Sequence, residues 1–85
     1  MTRHDDETRL RHMLEHSVEA ITLCANRERA DLDRDRLLNL SIVRLLEIIG
    51  EAANRISLPT QQAHPEIPWL QIVELGLTMR PFRTR

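Results

Sequence analysis

The sequence predicts an all-α domain, and three observations carry that reading. Apolar residues recur at three- and four-residue intervals through two long stretches, the spacing of one helical face. No run alternates apolar and polar residues as a half-buried strand does. One Trp, one Phe and no Tyr leave Leu, Ile, Val and Ala to build the core. The 85 residues make one small domain with a thin margin of stability, and a hydrophobic content of 41% is enough to fold it.

The first helix is predicted from about Asp6 to Cys24 or Ala25. Leu10, Met13, Leu14, Val18, Ile21 and Cys24 form its apolar face. Asp5, Asp6 and Glu7 place negative charge at its N-terminal end, where the helix dipole favours it. Asn26 is the predicted stop, and residues 26–29 read as a polar connection.

The second helix is predicted to begin between Asp31 and Asp35 and to reach Ile56. Leu38, Ile42, Leu45, Ile49, Ala52 and Ile56 form its central stripe, widened by Leu46 and Ala53 on one side and by Leu37 and Ile48 on the other. That arc is too broad for one partner helix, which predicts one contact inside the bundle and another with a second subunit. Gly50 costs about 1 kcal/mol against Ala in a helix, so the sequence predicts a close backbone neighbour there. Arg44, Glu47, Glu51 and Arg55 are read as its polar side, paired at helical spacing. Pro59 ends this helix, and Ser57 to His64 has room for one short helical turn. Pro65 and Pro68 fix an extended link. Pro68 then suits the first position of a third helix, in which Trp69 packs back on the core. That helix continues through Ile72, Val73 and Leu75, is weakened at Gly76 and ends at Pro81. Residues 76–85 are read as a divergent basic tail beyond a helical domain of residues 1–75.

The net charge of −1 provides no global field for nucleic acid or membrane. All twelve basic residues are Arg, a usage that codon bias accounts for. Cys24 is the only cysteine, which leaves no internal disulfide, and it is read as a small core residue. The charged N-terminus does not resemble a signal peptide, and no apolar run reaches membrane-spanning length. The predicted location is cytoplasmic.

His12 and His16 stand at metal-binding spacing with Glu15 and Glu19 nearby. With no third strong ligand, they read as a solvated helix face. Glu47 and Glu51, one turn apart, read as ion-pairing residues rather than an acid–base couple. No phosphate loop, nucleophile elbow or Cys/His zinc pattern occurs.

Two segments carry a resemblance: Ile48-Ile49-Gly50-Glu51-Ala52-Ala53 and His64-Pro65-Glu66-Ile67-Pro68-Trp69. Together with the first helix and residues 33–38, they resemble the HepT-like toxins of the HEPN superfamily, over about Arg9 to Val73. The resemblance implies an antiparallel, dimerising helical bundle and metal-independent RNA cleavage at the dimer cleft. On a helix after the Trp, a His would move the proton at the ribose 2′-hydroxyl and an Arg with four to six residues between the two would hold the phosphate. It further implies a toxin of a type VII-like toxin–antitoxin pair. The partner would be an MntA-like nucleotidyltransferase antitoxin that adds AMP to a Tyr just after the His.

Carried onto this chain, the Arg falls near Gly76 and the His near Pro81, and there is no Tyr. Arg9 and Arg11 stand at such spacings from His16, but on the first helix. Arg11 and His16 also point about 140° apart at 100° per residue. The reading is therefore a family scaffold, truncated or frame-shifted after about Val73 and lacking the family's final helix. Its catalysis is impaired, and no catalytic, cofactor-binding or metal-binding residue and no cofactor is assigned. The alternative is a non-enzymatic module for dimerisation and antitoxin binding.

Overall fold

The structure, a computed structural model, describes residues 3–79 and the side chains of residues 5–77. It is all-α. The described residues form α1 (Arg3–Cys24), α2 (Arg29–Arg34), α3 (Arg36–Arg55), α4 (Leu58–Ala63) and α5 (Trp69–Met79).

The predicted second helix is α3, and a short helix that the sequence does not predict, α2, precedes it; the two meet at Asp35, the late limit of the predicted start. This residue closes one and opens the other. Its backbone N–H donates to the Asp31 carbonyl at 2.8 Å, and its carboxylate accepts from the Leu38 N–H at 3.0 Å. A short carboxylate competes for backbone N–H groups and so favours a cap over a helix interior. Arg27 reaches the same carboxylate at 3.5 Å across the turn. Just before Arg27, Asn26 stands at φ 61°, a left-handed conformation that Asn tolerates better than most residues. It ends α1 where the sequence predicted.

α3 lies at the centre, with α1 on one side and α5 on the other. Arg9 and His12 adjoin Arg55, and Ile21 adjoins Ile42, so α1 runs antiparallel to α3. Gly50 meets both Ile72 and Gly76, and Gly76 meets Leu46, so α5 is antiparallel to α3 as well. The buried apolar residues are Met13, Leu38, Leu45, Ile49, Ala53, Ile56 and Trp69. Leu38, Leu45, Ile49 and Ile56 of the stripe predicted on α3 are therefore in the core, with Ile42 and Ala52 half-buried beside them, and Trp69 packs on it as expected.

Three expectations fail. The second face of α3, expected against another subunit, is covered by α5 of the same chain. Met13 is buried, but Leu14, Val18 and Ile21 remain 65%, 53% and 71% exposed, and Cys24 is exposed rather than a core residue. The reason is angular: Leu14 stands about 100° around the helix from Met13, and α1 meets α3 along Met13. Glu47, expected on the polar side, is buried and pairs with Arg44 at 3.6 Å. It stands three residues before Gly50, on the side of α3 that α5 covers.

Pro59 sits in the first turn of α4, where its missing N–H costs nothing, and α3 has already ended at Ile56. α5 begins at Trp69, with the Pro68 carbonyl accepting from the Ile72 N–H at 3.1 Å.

Candidate functional site

The resemblance directs attention to α5, whose seating is well determined. The Trp69 indole N–H donates to the carbonyls of Gln61 at 3.1 Å and His64 at 3.0 Å. The Gln61 amide in turn donates to the carbonyls of Ala53 at 3.2 Å, which also accepts from the Ile56 N–H, and Ile56 at 3.1 Å, at the end of α3. One side chain thus ties the C-terminus of α3 to the entry of α5.

From that anchor α5 runs to Met79 without an Arg or a His. Gly76 lies inside the helix, buried against α3. A Cβ placed on Gly76 would stand 2.8 Å from the Gly50 Cα, and one placed on Gly50 would stand 2.7 Å from the Gly76 Cα. The close backbone neighbour expected at Gly50 is therefore Gly76. The position onto which the family's Arg falls is a helix-to-helix contact with no room for a side chain. Pro81, where the His falls, lies outside the described residues.

A second latch was not foreseen. Asp6 of α1 is buried, and its carboxylate accepts from the Ser57 N–H at 3.0 Å and from the Ser57 and Thr60 hydroxyls, the latter at 2.6 Å. The hydroxyl of Ser57, that of Thr60 and the Ser57 N–H hold its pKa below the ordinary aspartate value against the opposing effect of burial, with a smaller contribution from Arg9. The sequence places these partners 51 and 54 residues apart, and no local pattern joins them. Asp31 is likewise lowered, mainly by the Glu28 N–H it accepts at 2.8 Å.

Polar chemistry gathers elsewhere, in an open hollow between α1 and α3 lined by Arg9, His12, Ile48, Glu51, Ala52 and Arg55. His16 is not part of it, although Arg9 and His16 share a face by spacing. His12 and His16 stand edge to face with ring centroids 6.2 Å apart, and His16 Nδ1 bonds the His12 carbonyl at 2.7 Å. That bond occupies one ring nitrogen of His16 on the exposed side of α1. Among the described residues no three His, Cys, Asp or Glu side chains converge as a metal site. Nor is any described helix long and apolar enough to cross a membrane.

Comparison with known proteins bears on this arrangement. A family model described as ribonuclease HepT-like matches residues 10–76. A probable ribonuclease HepT of Thermococcus cleftensis is 36% identical over a 66-position alignment that covers 73% of this chain and 60% of that protein. A putative RNase of Methanocaldococcus jannaschii is 27% identical over 75 residues, 88% of this chain and 69% of that protein. Another from the same organism is 28% identical over 72 residues, 85% of this chain and 60% of that protein. The matches thus span about 60–69% of the length of these relatives. No solved structure matches the chain.

Proposed function

The chain belongs to the HepT-like ribonuclease family, and we propose that it is a toxin of a type VII-like toxin–antitoxin pair whose power to cut RNA is impaired. One observation carries this reading: position 76 is a glycine pressed against Gly50. Cleavage through the ribose 2′-hydroxyl needs a group to take its proton and a cation to hold the phosphate. α5, the helix that would present both, offers neither an imidazole nor a guanidinium from Trp69 to Met79.

What the chain retains is the scaffold. Residues 1–75 form the family domain in this reading, and residues 76–85 depart from it in sequence while α5 continues to Met79. The partners are a second copy of the chain and an MntA-like nucleotidyltransferase antitoxin, in the cytoplasm, with RNA as the substrate class. Without a Tyr the chain cannot accept AMP on that side chain. The exposed row of Leu14, Val18 and Ile21 favours a second reading, a non-enzymatic module for dimerisation and antitoxin binding.

The test is cleavage of single-stranded RNA by the purified chain in the presence of a chelator, beside the Thermococcus relative as comparator. The chain is expected to leave the RNA intact. Metal-independent cleavage by the unmodified chain would overturn the impaired reading.

A further inference from the structure

We propose that the hollow between α1 and α3, lined by Arg9, His12 and Arg55, binds a phosphate group of single-stranded RNA. This deepens the reading of the chain as a ribonuclease scaffold, because it gives RNA a place to bind apart from the missing cleavage residues.

The antiparallel packing of α1 on α3 builds the hollow. Arg9 and His12 stand three residues apart and share a face of α1, while Arg55 comes from the last turn of α3. Ile48 and Ala52 form its apolar floor, and the charged groups stand around it in contact with solvent. A guanidinium carries five N–H donors in a planar fork that matches two phosphate oxygens at once. An ion pair within the protein therefore does not exhaust it. Two such forks and an imidazole around one concave surface supply the donor set that a phosphodiester accepts.

The opposing charges are few. Asp6 lies close enough to Arg9 to feel its charge, but its oxygens are turned to Ser57 and Thr60. Glu51 lines the hollow one turn before Arg55 and is the carboxylate that a phosphate would meet. Two permanent cations against Glu51, with Asp6 acting on Arg9 from one side, suit a single phosphate rather than a long run of them. Binding is accordingly weak and steeply salt-dependent. Nothing here requires the RNA to be cut.

The experiment is fluorescence anisotropy of a labelled single-stranded RNA octamer titrated with the full chain at several low salt concentrations, with each variant's fold checked by circular dichroism. Arg9→Gln and Arg55→Gln are each expected to weaken binding several-fold and to lower the salt slope by about 0.7. Glu51→Gln is expected to strengthen binding several-fold. Arg11→Gln, exposed and outside the hollow, is expected to change nothing. The opposite signs at Arg55 and Glu51 separate a phosphate site from a structural ion pair, whose loss would move both variants the same way. Should the Arg variants fail to fold, Glu51→Gln decides alone. Wild-type affinity in Arg9→Gln and Arg55→Gln, weaker binding in Glu51→Gln, or no RNA binding by the wild type would each overturn the proposal. RNA cleavage by the wild type would instead sink the impaired reading and leave the hollow standing.

Discussion

Gly50 of α3 and Gly76 of α5 meet backbone to backbone, each leaving the other no space for a methyl group. Ala is the better helix former by about 1 kcal/mol at either position, so propensity alone predicts that Gly50→Ala and Gly76→Ala stabilise. The contact reverses that sign. The obstructing atoms are backbone, which cannot swing aside as a side chain can, and the two helices must separate. Overpacking of this kind costs roughly 1–3 kcal/mol. Each variant is expected to lose about 1–2 kcal/mol net, read as a lower midpoint in urea denaturation. A gain in stability would mean that the helices do not meet at these two residues.

The same contact bears on any attempt to restore catalysis. An Arg placed at Gly76 would have to push α5 off α3, so Gly76→Arg is expected to unfold or loosen the domain and to leave RNA uncut. Circular dichroism and an RNA cleavage assay read both outcomes.

Asp6 makes stability depend on pH. Its pKa is lowered in the folded chain, chiefly by the Ser57 and Thr60 hydroxyls and the Ser57 N–H. A depressed carboxylate stabilises the fold fully above its unfolded pKa, near pH 4, and loses that contribution as pH falls through the folded value. Asp6→Asn keeps the shape and removes the charge. Its melting temperature is expected to fall below that of the wild type at pH 6–7, and the gap should narrow below about pH 4. A constant gap across that range would show that the carboxylate charge contributes nothing. Asp31 shares the direction of shift and supplies the residual acid dependence in Asp6→Asn.

The elements differ in how far they could be read in advance. The α3 stripe was legible because Leu38, Leu45, Ile49 and Ile56 repeat at helical spacing and all are buried. Gly50 was legible because a glycine in a helix interior is costly without a close neighbour. The short helix α2 was not, since residues 33–36 are charged throughout and only the cap geometry at Asp35 shows where α2 gives way to α3. The burial of Glu47 was missed because the width of an apolar arc does not say where a third helix will lie. The latch of Asp6 on Ser57 and Thr60, and the meeting of Arg9 and His12 with Arg55, depend on tertiary packing between distant segments, which no local pattern encodes.

Trp69 tests how α5 is seated. Trp69→Phe keeps an aromatic ring and removes the indole N–H shared by the Gln61 and His64 carbonyls. Those carbonyls also accept from the N–H groups of His64 and Ile67, so neither is left wholly unpaired. The lost hydrogen bond therefore sits near the low end of its usual cost. With the smaller ring it should total about 1–2 kcal/mol, read from the denaturation midpoint. An unchanged midpoint would show that packing alone seats the helix.

The last prediction concerns the outer face of α1. Leu14, Val18 and Ile21 form one row that leads into a hollow lined by Cys24, Ala25, Ile42 and Leu46, almost all of it apolar. If a second copy covers this row, as the proposed function holds, Leu14→Lys with Ile21→Lys would bury charge in the interface at a cost of roughly 3 kcal/mol or more. The dissociation constant would rise by about a hundredfold. The fold of the single chain should barely change, because both positions already face solvent there. Light scattering at micromolar concentration is expected to give a dimer for the wild type and a monomer for the double variant, with equal helicity by circular dichroism. A double variant that stays dimeric would move the interface to the exposed leucines of α3 or α5, and a monomeric wild type would remove it altogether.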